Sequence, residues 1–320
     1  MIKPKRARIC GYQSYIIILV VLTFFLPDLV YAQYGPRFWP YWKDGRAEIN
    51  TYRYKINYAG KIHGGRALLV YRVEPVAARS GLRSVSPLSA EDRVDTIKLV
   101  GLREFRAGLN SFRVLTSVSS PLQIWHLGDK TFRAVTPIRS RLAVTDFSGV
   151  LYYQLHRQEG GIRTELHSNV EAEGDRVRVY RPAAPILTED DFFVRVRELK
   201  ASWPSGAYRA LTSPFFTRFK HVLPEIVDVE VERNVSIKSS AKRIAEGGLI
   251  TYLIELAGRR YSFNVEAKGV KKILNWRIET SGKKPELLEE AELIASERVN
   301  FADSENKDLE KIAEKLGLGK

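Results

Sequence analysis

The chain alternates apolar and polar residues over much of its length, a pattern typical of β-strands with one buried face. Tyr52, Tyr54 and Ile56 alternate with basic or polar residues. Successive side chains of a strand point to opposite faces, so this run predicts a strand with one apolar and one basic face. The glycine-containing segment 60–65 predicts a turn, and residues 67–73 predict the returning strand.

Further strand candidates follow at intervals of roughly ten residues, as expected for an antiparallel sheet with short connections. They lie at 94–103, 111–118, 122–127, 131–136 and 141–147, and the last strand is predicted at 271–280. The predicted fold is mainly β: a large curved antiparallel sheet, as a half-barrel or a sandwich, with one short helix and a C-terminal helical tail.

Two hairpins can be assigned from turn chemistry and alternation. The first is predicted to turn at Gly160-Gly161, which pairs Glu159 with Ile162. Its apolar face carries Leu151, Tyr153, Leu155, Thr164, Leu166 and Val170, and its polar face carries Gln154, His156, Glu165 and His167. A slip of one residue would exchange the two faces, so alternation fixes which side chains share a face.

The second hairpin is predicted to turn at Gly258-Arg259, which pairs Ala257 with Arg260. The predicted apolar face carries Ile250, Tyr252, Ile254, Leu256, Tyr261, Phe263, Val265 and Ala267. The other face carries Thr251, Glu255, Ser262, Asn264 and Glu266.

Helical patterns occur in two places. Thr188 followed by three acidic residues is typical of a helix N-terminus, and Phe192, Val196 and Leu199 then share one side of a short helix. Helical spacing also predicts a helix over 285–298. A second tail helix, from near Asp303, carries Leu309, Ile312, Ala313 and Leu316 on one face.

The N-terminal residues have the layout of a secretory signal. A positive segment precedes the apolar core at 15–26, and Val30-Tyr31-Ala32 is a small-x-small site that predicts cleavage between Ala32 and Gln33. An uncleaved anchor is the alternative, although this core is shorter than the ~17 residues that usually span a bilayer. Three regions result: a signal at 1–32, a β domain at 33–284 and an acidic tail at 285–320.

Export predicts a location in the periplasm or at the periphery of the outer membrane. The single cysteine, Cys10, would be removed with the signal, so the mature chain is predicted to lack disulfides. No cofactor is expected.

The charge is distributed unevenly along the chain. The net charge is +14, yet residues 285–320 contain ten Asp or Glu and five Lys or Arg. A basic body predicts an anionic partner such as a lipid headgroup or an acidic envelope polymer. Two alternatives remain for the charge of the acidic tail: it folds back and neutralises part of the body, or it recruits a partner protein. A partly mobile tail is the third alternative. Nucleic acid is not an expected partner of an exported protein.

Aromatic residues supply the candidate ligand contacts. In a closed sheet they would form the core, whereas in an open, curved sheet they could line a trough for an apolar ligand with a basic rim. The candidates are Tyr52, Tyr54, Trp125, Tyr153, Trp203, Tyr252 and Phe263.

Candidate catalytic or metal-binding groups are few. His156, Glu165 and His167 share a predicted face and form a weak candidate metal site. Residues 239–242 match a Ser-x-x-Lys spacing, but the companion Ser-Asp-Asn and Lys-Thr-Gly elements are absent from the sequence. The acidic residues at 189–191 could bind a cation, although helix capping explains them. No catalytic residues are therefore assigned.

Several segments resemble an uncharacterised family of exported bacterial β-rich proteins. They are Gly45-Arg46-Ala47-Glu48-Ile49, then Tyr52 and Tyr58, Ala67-Leu68-Leu69-Val70, Leu115-Thr116-Ser117-Val118 and the stretch 187–197. The family's Arg and Gly are replaced at Asn57-Tyr58-Ala59. Members are sometimes labelled septum formation inhibitor Maf, but this chain lacks the Ser-x-Ser-Pro-Arg opening of that nucleotide pyrophosphatase family. The layout is also similar to periplasmic half-barrel proteins, whose curved sheet wraps a helix and can take hydrophobic ligands.

These observations favour a non-enzymatic envelope protein that binds an apolar or anionic envelope component, or a partner protein. The alternatives are an envelope hydrolase that uses the His/Glu site and a scaffold that uses its acidic tail.

Overall fold

The computed structural model describes residues 38–147, 149–171, 173–199, 201–218, 222–236, 248–300 and 309–318. It confirms the predicted fold class: the chain is mainly β, with a large curved sheet and a few short helices. The predicted signal with its Ala32/Gln33 cleavage site lies outside these residues, as do the Ser-x-x-Lys sequence and His221. None of the described helices has the length and apolarity that crossing a membrane requires.

The strands of the first half are Ala47–Tyr58 (β1), Lys61–Ala77 (β2), Arg93–Ala107 (β3), Asn110–Pro121 (β4), Trp125–Leu127 (β5), Lys130–Phe132 (β6), Arg139–Asp146 (β7), Gly149–Gln158 (β8) and Gly161–His167 (β9). Those of the second half are Arg176–Tyr180 (β10), Leu187–Thr188 (β11), Gly206–Leu211 (β12), Ile226–Ser236 (β13), Leu249–Leu256 (β14), Arg259–Glu266 (β15), Ile273–Thr280 (β16) and Leu287–Val299 (β17). The helices are Phe38–Trp42 (α1), Phe192–Arg195 (α2), Pro214–Arg218 (α3) and Leu309–Lys315 (α4), and a 3-10 turn spans Glu189–Asp191.

Fifteen of the described strands form one sheet in the order β10-β9-β8-β7-β4-β3-β2-β1-β17-β16-β15-β14-β13-β12-β11, and β5 pairs separately with β6. All neighbours in the large sheet are antiparallel except β11 and β12. The two end strands are not paired with each other, so the sheet is open. One face packs on residues 189–199 and is called the inner face; the opposite face is the outer face.

The C-terminal tail differs from its prediction. Residues 285–298 do not form a helix: β17 occupies the middle of the sheet, between β1 and β16. The strand predicted as the last one, now β16, is therefore followed by another. Helical propensity of the Leu-, Glu- and Ala-rich sequence is a weak preference, and pairing with two strands overrides it. The short helix α4 is present, and Leu316 after it is buried against the outer face beside Ile49 and Leu68.

Both predicted hairpins form, with the predicted faces and a corrected register. The first turns at Glu159-Gly160 and pairs Gln158 with Gly161. The second turns at Ala257-Gly258 and pairs Leu256 with Arg259. Each register is shifted by two positions, which leaves every side chain on its predicted face because strand side chains alternate with a period of two. Ala257 and Gly258 both have positive φ, at 46° and 72°, as a type I′ turn requires.

The first hairpin of the chain also turns earlier than predicted. Ala59 and Gly60 form its turn with φ of 52° and 76°, so β2 already begins at Lys61. The neighbouring pair Gly64-Gly65 therefore lies within a strand and is not a turn. At Gly65 a Cβ atom would approach the Glu104 carbonyl oxygen to 2.1 Å, so the close approach of β3 explains this glycine.

Candidate functional site

The inner face of the sheet is filled by the segment 189–199, here called the central segment. Phe192, Val194 and Val196 are fully buried in it, and Phe193 packs edge-to-face on Trp276 and Phe263. The Tyr71 hydroxyl of β2 donates a hydrogen bond to the Phe193 carbonyl oxygen at 2.9 Å. The short helix α2 thus lies in the centre of the concave side and holds that side closed.

An ion pair ties the central segment to β1. Arg197 donates to both carboxylate oxygens of Glu48, at 2.6 and 3.1 Å, and both side chains are fully buried. Tyr41 and Asn50 donate to the same carboxylate, while Arg197 lies over the ring of Tyr71 at 4.3 Å. Burial alone would raise the pKa of Glu48, but the Arg197 charge and these hydrogen bonds hold it below its usual value. The carboxylate is therefore ionised and structural.

The acidic residues at 189–191 bind the sheet and do not cap the helix. Thr188 makes no side-chain cap hydrogen bond, which corrects the predicted capping role. The Glu189 carboxylate accepts from Arg259 at 2.8 Å and from the Tyr261 hydroxyl. Asp190 accepts from Ser140 and Ser213, and Asp191 from Ser120 and Arg195. These partners account for all three carboxylates without a cation.

The predicted aromatic contacts are packed instead of lining an open trough: six belong to the main core, and Trp125 packs in a separate cluster with Phe132. Each of Tyr52, Tyr54, Trp125, Tyr153, Trp203, Tyr252 and Phe263 is at most 5% exposed. A cavity of about 30 Å³ beside Arg103, Glu189 and Phe193 has room for roughly one or two water molecules. An apolar ligand would reach the residues of the main core only if the central segment moved out. Ligand binding by these seven residues stays a prediction.

The outer face of β7, β8 and β9 carries a cluster of cations. Arg139, His156 and Arg163 stand opposite one another on successive strands, and Arg141 is two residues from Arg139 on the same face. Adjacent strands lie ~4.8 Å apart, so the row spans about 10 Å. The four residues Arg139, Arg141, His156 and Arg163 are called the arginine surface.

The cations of the arginine surface are incompletely neutralised. The carboxylate of Glu165 lies beside this surface, contacts Arg163 and accepts a hydrogen bond from Gln154 at 2.6 Å. Arg141 makes no ion pair with a described residue, and its Nε atom is buried without a hydrogen-bond partner. Burial and the charge of Arg141 lower the pKa of Arg139. Like charges at this spacing repel each other, and a bound anion would relieve that repulsion.

His156 reports the positive field of this surface. Arg139 Nη2 lies 3.2 Å from His156 Nδ1. Because a guanidinium only donates, the imidazole must accept at Nδ1 and is neutral. Partial burial and the charges of Arg139, Arg163 and Arg141 lower its pKa to about 4.

The structure does not assemble the candidate metal site. In the observed register Glu165 faces Gln154, and His156 faces Arg163 instead of Glu165. His167 faces Tyr152 and lies 3.1 Å from Asp175. Among the residues that the structure describes, no three His, Cys, Asp or Glu side chains are grouped so that they could hold a metal ion.

The acidic residues of β17 act within the sheet. Lys55 of β1 contacts Glu290 at 2.7 Å, and Arg53 contacts Glu292 at 3.2 Å. The buried Glu289 accepts from Arg103 at 3.1 Å. This part of the predicted tail thus folds back and neutralises part of the basic body. That is the first of the alternatives that the sequence left open.

Sequence reasoning placed His156 on the correct face but missed Arg139 and Arg141. Residues 141–147 were predicted to be a strand, yet no partner was assigned to it, so the neighbourhood of His156 was unknown. A signal was present: Arg139 and Arg141 alternate with Ser140, Leu142 and Val144, which predicts that both arginines lie on the outer face.

Comparisons with protein families, with curated proteins and with solved structures found no match to this chain.

Proposed function

We propose that this chain is a non-enzymatic envelope protein that binds a phosphate-bearing anionic envelope component through the arginine surface. The observation that carries the proposal is the concentration of three arginines around a neutral histidine, with the Glu165 carboxylate beside them. Guanidinium groups bind phosphate or carboxylate oxygens through paired N–H donors, which suits Arg to this role. The secretory layout of the N-terminus supports a location in the envelope.

Three other arginines of the outer face provide a contrast because each has a carboxylate partner. Arg53 is paired with Glu292, Arg260 with Glu255 and Arg277 with Glu290. An anion would have to displace a carboxylate from each of these arginines. At Arg141 no carboxylate has to be displaced.

The test measures binding of two probes to the purified protein: soluble polyphosphate, and vesicles that contain phosphatidylglycerol. Polyphosphate binding is expected to weaken as salt rises, because exposed charges are screened. Each arginine near an anionic surface contributes roughly 1 kcal/mol of binding free energy. We therefore expect about 100-fold weaker polyphosphate binding by the triple variant Arg139→Gln/Arg141→Gln/Arg163→Gln. Polyphosphate binding that the triple variant loses would indicate a polymer ligand, and vesicle binding that the triple variant loses would indicate a lipid headgroup.

The matched control is Arg53→Gln/Arg260→Gln/Arg277→Gln, which removes the same charge from paired positions. It should bind within a few-fold of the unaltered protein. Equal losses in the two triple variants would mean that net charge drives binding, and the arginine surface would then not be the site.

A further inference from the structure

Large apolar side chains are exposed on hairpin turns at one end of the sheet. Leu109, in the β3–β4 turn, is 89% exposed, and Phe147, in the β7–β8 turn, is 75% exposed. Val150 and Ile62, at the adjoining strand ends, are 60% and 50% exposed. Single exposed apolar residues are ordinary, whereas several at the same end of a sheet mark a candidate interaction surface.

The turns hold these side chains close together. Gly108 has a φ of 62° as the first residue of the two-residue β3–β4 turn, a position that favours glycine, and Leu109 follows it at the tip. The Asn110 side chain accepts a hydrogen bond from the Phe147 backbone N–H at 3.1 Å, which fastens the two turns to each other. The pair Leu109 and Phe147, with Val150 and Ile62 beside it, is called the apolar tip.

The charges on the strands beside Leu109 and Ile62 are mainly positive: Lys61, Arg66, Arg106 and Arg113 are near one another, and Glu104 lies among them. Lys61 and Arg106 flank the turns, and neither makes an ion pair within the described ranges. Arg66 and Arg113 share the carboxylate of Glu104. The β16–β17 turn at the same end of the sheet adds the exposed Lys283 and Lys284. The carboxylates at this end are Glu104, Asp146, Glu286 and those of the 171–175 loop, so the whole end is close to neutral and its positive charge is concentrated beside Leu109.

We infer that the apolar tip docks on an anionic lipid surface. Exposed Leu and Phe side chains enter the boundary between headgroups and acyl chains, and the surrounding Lys and Arg meet the phosphates. A water-soluble anionic polymer would give the charges a partner but would leave Leu109 and Phe147 in water. Exposed apolar side chains with Lys and Arg beside them therefore favour an anionic membrane over a water-soluble anionic polymer as the partner.

This contact is separate from the arginine surface. Arg139 begins β7 and Phe147 follows its end, so eight residues of extended chain place the two about 26 Å apart. A protein docked by its tip would hold the arginine surface away from the lipid headgroups, where it could meet a polymer of the envelope.

The experiment measures co-sedimentation of the full chain with vesicles of phosphatidylethanolamine and phosphatidylglycerol. The variant Leu109→Ser/Phe147→Ser should bind roughly 100-fold more weakly, at about tenfold for each side chain removed from the interface. The matched control Leu82→Ser/Val85→Ser removes two exposed apolar residues from the connection between β2 and β3, at the opposite end of the sheet, and should bind like the unaltered protein. Unchanged binding of the tip variant, or an equal loss in the control, would overturn the inference.

A second measurement detects insertion directly. In a Leu109→Trp variant, vesicle binding should shift the tryptophan fluorescence maximum to shorter wavelength. Brominated lipid should then quench the part of the tryptophan fluorescence that changes when vesicles are added. Absence of both changes in a protein that sediments with the vesicles would contradict docking by the tip. Soluble polyphosphate distinguishes the two proposals: the tip variant should keep polyphosphate binding, whereas the triple arginine variant should lose it and retain tip insertion.

Discussion

Arginine has opposite surroundings on the two faces of this sheet. On the inner face, Arg103, Arg197 and Arg259 are buried and each has its own glutamate. On the outer face, Arg139 and Arg141 lie side by side with no carboxylate of their own among the described residues. Both groups belong to strands of the same sheet or to the segment packed against it. The two groups of arginines therefore differ in their surroundings and not in residue type.

The difference follows from the cost of burial. A charge inside the protein is stable only when partners replace water. These three arginines have glutamates, whereas the buried Arg157 of β8 donates to the carbonyl oxygens of Pro137 and Ile186. An outer arginine remains in contact with water and can stay without a partner. Paired arginines therefore indicate architecture, and clustered unpaired ones indicate a binding surface.

The largest effect is expected from Glu48→Gln. The amide keeps the shape of the carboxylate but removes its charge, which leaves Arg197 buried and uncompensated. The free energy of unfolding should fall by about 3–5 kcal/mol. Urea denaturation followed by circular dichroism measures the change.

Two further variants sharpen this result. Glu292→Gln breaks the exposed pair with Arg53 and should change the unfolding free energy by about 1 kcal/mol or less. Glu48→Leu/Arg197→Met removes both buried charges and should recover much of the lost stability. Similar losses for Glu48→Gln and Glu292→Gln would show that burial does not separate the two faces.

A smaller effect is expected from Tyr71→Phe. This change removes the hydroxyl that holds the Phe193 carbonyl oxygen and keeps the ring that covers Arg197. The unfolding free energy should fall by about 1 kcal/mol, the usual net contribution of one hydrogen bond. Faster exchange of amide hydrogens in the central segment would accompany it. Tyr208→Phe, which loses an exposed hydroxyl, is the control, and an equal loss there would argue against a special tether at Phe193.

Alternation predicted the faces of the strands, but the partners across the sheet could not be obtained from it. The 150–170 hairpin shows why: a two-residue shift of its turn leaves every face unchanged, yet it moves His156 from Glu165 to Arg163. The buried charges were missed for another reason. Charged residues such as Glu48 and Arg197 are usually expected at the surface. Their burial is favourable only because they form an ion pair, and the two residues are 149 positions apart in the chain.

β17 shows the same limit of local sequence information. Its glutamates at 289, 290 and 292 break the apolar alternation that marks a strand, and its composition favours a helix. In the sheet, Glu289 faces inward to Arg103 while Glu290 and Glu292 face outward to β1. Three of its partners, Arg103, Lys55 and Arg53, lie more than 180 residues earlier in the chain.

The smallest effect on the free energy of unfolding is expected from a substitution of His156. This residue also tests the positive field of the arginine surface directly. Its pKa of about 4 in the folded protein lies below the ordinary value of about 6.5. Between these two pH values the unfolded chain takes up a proton that the folded chain does not, so this site's contribution to stability is lost as the pH falls through that window. His156→Gln should therefore flatten the fall in unfolding free energy between roughly pH 6.5 and pH 4. Because the side chain is only half-buried, solvent screening reduces the effect.

Nuclear magnetic resonance can follow the His156 ring directly. In Arg139→Gln/Arg163→Gln the pKa should rise toward its ordinary value, and in the unaltered protein polyphosphate should raise it as well, because a bound anion offsets the charges of the arginines. The exposed His126 provides an internal control. If the arginine variant left the His156 titration unchanged, burial alone would account for the low pKa. The outer face would then lack the concentrated positive field that distinguishes it from the paired charges of the inner face.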